Sequence, residues 1–169
     1  GLVGSEMCIE TAYKEGWIRA IGVSNFYPDR LVDLCSFVEV KPAINQVETH
    51  IFQQQTAAHE YMEKYGVQHE SWGPFAEGRK DFFTNPVLNE IGKKHDKSAA
   101  QVALRFLLQS DVVVIPKSTH KERMEENINV FDFALDASDM NAIRALDEKE
   151  SLFFSHYDPA IAEMMIKLH

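Results

Sequence analysis

The sequence contains little cysteine and no long apolar run. Its two cysteines, Cys8 and Cys35, are spaced neither as metal ligands nor as a disulfide framework. This pattern is typical of a reducing compartment and predicts a cytoplasmic protein. No segment approaches the ~20 apolar residues of a membrane-spanning helix, and no signal peptide opens the chain. The sequence therefore predicts no association with a membrane.

Basic residues are scarce as well. Lysine and arginine number 17 against 26 aspartates and glutamates, which gives a net charge of −9. Because nucleic acids and anionic membranes bind to broad basic surfaces, this balance argues against both as partners. The chain begins with Gly1 instead of an initiator methionine. We therefore expect a processed product, an expression product or a fragment of a longer protein.

The 169 residues have the composition of an ordinary globular domain, with 45% hydrophobic and 25% charged residues. Four short strands alternate with helices, which predicts an α/β fold with a parallel sheet and right-handed crossovers. The predicted strands cover residues 18–23, 42–50, 67–72 and 112–115. The predicted helices cover residues 5–16, 54–64, 86–95, 99–109 and 138–146, and two more begin at Pro28 and Lys121. A closed parallel barrel takes eight strands and ~250 residues, so the economical interpretation is half of such a barrel.

The stretch "VVVIPKSTHKERMEEN", residues 112–127, gathers cations and hydroxyls at the end of the last predicted strand. These residues are Lys117, Ser118, Thr119, Lys121 and Arg123. A cationic loop before a helix amino terminus attracts phosphate, because free N–H groups and the helix dipole favour an anion. The alternative is a solvated helix start whose Lys121 and Arg123 pair with Glu125 and Glu126. Spacing alone leaves both interpretations open.

Polar or aromatic residues end the other strands too. Trp72 precedes "GPFAEG" and either stacks on a flat ring or packs in the core. Ser24, Asn25 and Gln46 are small hydrogen-bonding groups, and capping of the next turn is the ordinary explanation for Ser24 and Asn25. Together with the cationic loop described above, which would act as a phosphate clamp, these residues would place amide-binding groups and a stacking ring at the edge of the sheet where the strands end. A nicotinamide dinucleotide carries the three matching parts.

Histidines and phenylalanines give weaker signals. His50 follows Gln46 at a strand end and either faces the pocket or has a structural role. The seven histidines share no spacing that would bind a metal, so we predict no metal site. Four phenylalanines either line the substrate side or pack in the core. They are Phe82, Phe83, Phe153 and Phe154.

Five stretches match a known family in order and spacing. They are "GWIRAIGVSNF", "PAINQVETH", "SWGPFAEGR", "VVVIPKSTHKERMEEN" and "ESLFFSHYDP", and the likeness spans essentially the whole chain. The chain resembles the aldo-keto reductases, within the branch similar to diketogluconate reductases and prostaglandin F synthases. The resemblance implies a (β/α)8 TIM barrel that uses NADP to reduce aldehydes or ketones to alcohols. Residues 1–169, including a tail at 147–169, then correspond to the carboxyl-terminal half, with only the last four strand-helix units.

The resemblance also implies a set of cofactor-binding residues. Ser24, Asn25 and Gln46 would hold the nicotinamide carboxamide, and Trp72 would stack under the nicotinamide ring. The stretch from Gly73 to Gly78, which contains Phe75, would run along the pyrophosphate. The implied adenosine end consists of Lys117, Ser118 and Arg123 around the 2′-phosphate, with Glu126 and Asn127 near the adenine. This clamp favours NADP over NAD, because a 2′-phosphate needs cations and a 2′-hydroxyl does not.

The catalytic aspartate, tyrosine, lysine and histidine of the family lie on the first half of its barrel. None of the five tyrosines here lies in a matching motif, so we predict no catalytic residue in this chain and no activity from it alone. The alternatives are a catalytically inactive NADP-binding or regulatory module, or a truncated gene product. The expected partners are a small carbonyl substrate and either the missing amino-terminal half or a second copy, because half a barrel leaves edge strands exposed.

Overall fold

The computed structural model describes residues 3–155 and 157–167. Its strands are β1 (Gly22–Ser24), β2 (Ile44–Glu48), β3 (Gln68–Trp72) and β4 (Val113–Val114). Its helices are α1 (Val3–Lys14), α2 (Pro28–Phe37), α3 (Thr56–Tyr65), α4 (Pro86–His95), α5 (Ala99–Gln109), α6 (Lys121–Ile128), α7 (Ala137–Arg144) and α8 (Pro159–Ile166). None of the helices in this part of the chain is long and apolar enough to cross a bilayer.

The four strands form one sheet in the order β1-β2-β3-β4. β1 runs parallel to β2, with Ser24 opposite Gln46, and β3 runs parallel to β4, with Glu70 opposite Val113. The predicted parallel sheet of four strands is therefore confirmed. Because the carboxyl ends of parallel strands meet at one edge, residues that follow paired strands are brought close together.

All four strands are shorter than the predicted ranges, and the differences at β1 and β4 have clear causes. β1 begins at Gly22 instead of Ile18, and the preceding Trp17 and Ile18 are exposed. β4 excludes Val112, whose N–H donates to the carbonyl of Leu107 at 3.0 Å and so closes the turn after α5. The strand also stops before Pro116, which has no N–H to give to a ladder.

The described chain divides into two compact units. The first consists of Gly1–Val47 and Thr56–His69, and the second consists of Glu48–Gln55 and Glu70–His169. The core of the first unit is small and lies between α2 and α3. It contains Leu31, Cys35, Val47, Ala58, Met62 and Val67.

The second unit has the larger core, built around α5. This helix begins at Ser98, as predicted, with a reciprocal cap in which Ser98 and Gln101 bond each other's backbone and side chain. Buried neighbours come from several elements. They include Phe82, Leu88, Val102, Phe106, Leu107 and Ile143.

Residues 76–84, predicted as a loop, form helical turns interrupted by left-handed backbone. Ala76, Glu77, Lys80 and Asp81 all have positive φ angles between 49° and 53°. Such angles are unfavourable for residues other than glycine. Two contacts hold the segment in place, since Lys80 pairs with Glu148 and the Arg79 guanidinium donates to the Leu152 carbonyl.

The tail contains helix α8, which the sequence analysis missed although Asp158 and Pro159 form a typical helix start.

Candidate functional site

Helix α6 carries three of the five residues predicted at the adenosine end of the cofactor, Arg123, Glu126 and Asn127. The buried Gln101 donates through Nε2 to the carbonyls of Glu126, at 3.2 Å, and Asn129, at 2.8 Å. The Ser98 hydroxyl bonds the Glu126 carboxylate. These contacts fix the last turn of α6 to the first turn of α5.

A cavity of about 430 Å³ lies beside α6 in the second unit. Six predicted cofactor-binding residues line it: Phe75, Lys117, Ser118, Arg123, Glu126 and Asn127. Phe83, Asn89, Ser98, Thr119 and His120 contribute to the same walls. The structure therefore brings the whole predicted adenosine end together.

Two cations, Lys117 and Arg123, and one carboxylate, that of Glu126, line the cavity. His120 is the N-cap residue of α6, and its side chain makes no capping hydrogen bond to the N–H groups of the first turn. Lys121 pairs with Glu125 at 3.5 Å, as the solvated-helix interpretation expects. Within residues 3–155 and 157–167, however, neither Lys117 nor Arg123 forms an ion pair. Two cations and a helix amino terminus thus face the same cavity.

Ser118 has a local role in this loop. Its Oγ accepts a hydrogen bond from the N–H of His120 at 3.1 Å and lies 3.3 Å from the carbonyl of the same residue. This small turn leads the chain from Lys117 into α6. The hydroxyl therefore shapes the loop that presents the two cations.

Trp72 ends β3 in the second unit and is not among the cavity-lining residues. Its ring lies 5.1 Å from the ring of Phe153, at an interplanar angle of 59°. The Arg79 guanidinium lies over Phe153, 4.2 Å from the ring centroid. Gly73 follows with a φ of 65°, which turns the chain away from the strand. Phe153, predicted on either the substrate side or in the core, packs on Trp72.

Ser24, Asn25 and Gln46 form a separate cluster in the first unit. The Gln46 carbonyl accepts from the Ser24 hydroxyl at 3.1 Å and from the Asn25 N–H at 2.9 Å. The N-cap position of α2 is Tyr27. The buried Asn45 holds the same turn, since its side chain bonds both the N–H and the carbonyl of Phe26. The sequence analysis missed Asn45, because one asparagine within a strand gives no local signal.

The chain is similar in sequence to a known protein family and to several of its members. The profile described as "Aldo/keto reductase family" matches residues 6–148. Glyoxal reductase of Bacillus subtilis (strain 168) is 46% identical over 142 residues, which cover 84% of this chain and 51% of that protein. The 9,11-endoperoxide prostaglandin H2 reductase of Trypanosoma cruzi (strain CL Brener) is 41% identical over 145 residues, which cover 85% of this chain and 51% of that protein.

Solved structures agree with the sequence matches. The crystal structure of a Gox0644 variant in complex with NADPH is similar to this chain, with a TM-score of 0.82 and 38% identity. The match covers 87% of this chain and 54% of that chain. The chain spans about half the length of the curated relatives it matches. These likenesses confirm the predicted family and its TIM-barrel type of fold.

Proposed function

This chain belongs to the aldo/keto reductase family, and we propose that it supplies the NADP-binding half of an enzyme that reduces aldehydes or ketones to alcohols. NADPH, when bound, supplies the hydride that such a reduction needs. The chain's own residues bind and orient the cofactor. The observation that carries the proposal is the cavity at α6, which Lys117 and Arg123 line beside an uncapped helix start.

The residues of this cavity fit the adenosine end of NADP. Lys117, Arg123 and the first-turn N–H groups of α6 would hold the 2′-phosphate, because charge-assisted hydrogen bonds to phosphate are strong. A 2′-hydroxyl, as in NAD, offers no charge to these groups. Glu126 and Asn127, which follow Arg123 by about one helical turn and line the same cavity, would contact the adenine.

The remaining predicted residues would hold the other end of the cofactor. We propose that Trp72 stacks on the nicotinamide and that Ser24, Asn25 and Gln46 bind its carboxamide. The register supports a shared role for the last three, because Ser24 and Gln46 lie opposite each other in β1 and β2. Gly73 and Phe75 would follow the pyrophosphate. We assign no general acid to this chain, and we propose that it does not reduce carbonyls alone.

The test is a fluorescence titration of this chain with NADPH and with NADH. Arg123→Ala is expected to weaken NADPH binding by about tenfold, which corresponds to the loss of one charge-assisted contact. NADH binding should change little. Lys121→Ala is the matched control, because Lys121 is a neighbouring cation that already pairs with Glu125.

Two results would contradict this assignment of the clamp. One is an equal loss of affinity for both cofactors in Arg123→Ala. The other is a loss of NADPH affinity in Lys121→Ala as large as that in Arg123→Ala.

We further propose that the sheet is completed by an amino-terminal half or by a second copy of this chain. Support comes from the edges, since β1 and β4 lie at the ends of the strand order. Apolar side chains are exposed near both edges, with Trp17 at 79% and Ile115 at 47%. Size-exclusion chromatography with intact-mass measurement should show an assembly. A well-folded monomer of 19.3 kDa would rule the proposal out.

A further inference from the structure

A buried carboxylate connects the end of β2 to the tail. Glu48 is almost fully buried, and its Oε1 accepts from the Leu152 N–H at 2.9 Å and from His50 Nε2 at 3.0 Å. Its Oε2 accepts from the Ser151 hydroxyl. Glu48 therefore binds a segment more than a hundred residues further along the chain.

The protonation states of this network follow from its hydrogen bonds. His50 Nδ1 accepts from the N–H groups of Phe52 and Gln53, both at 3.2 Å, so a neutral His50 carries its proton on Nε2 and donates it to Glu48. Burial opposes ionisation of Glu48, but bonds from His50, Ser151 and Leu152 outweigh burial and hold the pKa of this carboxyl below its usual value. Glu48 is therefore an ionised acceptor for three donors.

The tail turn that Glu48 binds places an aromatic ring. Ser151 Oγ accepts from the N–H groups of Phe153, at 3.1 Å, and Phe154, at 3.0 Å. The Phe153 ring then packs on Trp72, with the Arg79 guanidinium over it. A continuous path of contacts thus runs from Glu48 through Ser151 and Phe153 to Trp72.

We propose that Glu48 is a positioning residue for Trp72, acting through Ser151 and Phe153, and that it thereby sets the affinity for the nicotinamide end of the cofactor. The second clause rests on the proposed function. A glutamine at this position keeps the size of the side chain but turns one acceptor into a donor that faces other donors. The tail turn would then detach, and Phe153 would leave Trp72.

The positioning role is tested first without cofactor. The chain has two tryptophans, and Trp17→Phe leaves Trp72 as the single emitter. In this background, Glu48→Gln is expected to raise acrylamide quenching of Trp72 by about twofold at a temperature well below unfolding. Phe153→Ala should raise it equally, and the double variant should show no further increase, because both changes act on one path. Glu150→Gln, an exposed carboxylate beside the same turn, is the control.

The second readout separates the two ends of the cofactor. Glu48→Gln should weaken NADPH binding by about fivefold, in line with the loss of one aromatic contact. Binding of 2′,5′-ADP, which has no nicotinamide, should stay unchanged. If the parent chain does not bind NADPH, the proposed function fails, and the quenching experiment still decides the positioning role.

Three results would overturn the proposal. The first is a lower melting temperature in Glu48→Gln with unchanged Trp72 quenching, which would show a purely structural role. The second is an additive increase in Trp72 quenching in the double variant of Glu48→Gln and Phe153→Ala, which would show independent paths. If Glu48→Gln does not fold, Ser151→Ala replaces it, and unchanged quenching in that variant would overturn the path equally.

Discussion

Replacing Asp139 by alanine is expected to lower the free energy of unfolding by about 3 kcal/mol, because it removes a buried carboxylate from a network of donors. Asp139 is 5% exposed and accepts from Lys94 Nζ at 2.9 Å and from His95 Nε2 at 2.8 Å. It also accepts from the N–H of Asp136 at 3.2 Å, within the cap of α7. The carboxylate therefore ties α7 to the last turn of α4.

The charge state of Asp139 supports this expectation. Burial opposes its ionisation, but hydrogen bonds from His95 and Lys94 outweigh burial, and the pKa of this carboxyl lies below its usual value. Urea denaturation at neutral pH measures the loss. Glu39→Ala is the control, since Glu39 pairs with Lys14 on the surface at 2.7 Å and exposed pairs contribute little to stability. Equal losses in the two variants would contradict a special role for the buried network.

Acid is expected to destabilise the first unit through His69. This imidazole is 1% exposed, and its Nδ1 lies 3.0 Å from Nδ1 of His59. Burial, aided by the nearby His59, lowers the pKa of His69 to about 3. In the unfolded chain the same group binds a proton near its ordinary pKa of 6.5. As pH falls below 6.5, His69 is protonated in the unfolded chain but stays neutral in the folded chain. The free energy of unfolding therefore decreases from about pH 6.5 down toward pH 3.

The size of the acid effect follows from the two pKa values. Between pH 7 and pH 5 the His69 contribution to the unfolding free energy is expected to fall by ~2 kcal/mol. His69→Val removes this titration, so urea denaturation at the two pH values should show a smaller difference in the variant by that amount. An unchanged difference in His69→Val would contradict the assignment.

Local signals were sufficient to predict the elements that place the phosphate clamp. Ser98 followed by Gln101 predicts a capped helix, and α5 begins there. The strand before Pro116 and the helix from Lys121 also appear where the sequence places them, because turn and cap chemistry acts between near neighbours. The number of strand-helix units relative to the whole family barrel, the cytoplasmic location and the absence of a metal site stay predictions.

Tertiary contacts account for what the sequence analysis missed. Local spacing allows Lys121 to pair with Glu125 and Arg123 to pair with Glu126. The first pair forms, whereas the Glu126 carboxylate accepts a hydrogen bond from Ser98, a contact that local spacing does not reveal. The bond from Ser151 to Glu48 and the pair of His59 with His69 join distant segments, so no window of sequence contains them. The cofactor-binding roles of the eleven predicted residues likewise stay predictions until a ligand is bound.

Calorimetric titration of this chain with 2′,5′-ADP and with 5′-AMP tests the central claim most directly, because the two ligands differ only in the 2′-phosphate. If Lys117, Arg123 and the start of α6 bind that phosphate, 2′,5′-ADP should bind about a hundredfold more tightly, as two charge-assisted contacts predict. The difference should shrink as salt is added, since the contacts lie near the surface. Equal affinity for the two ligands would contradict the claim.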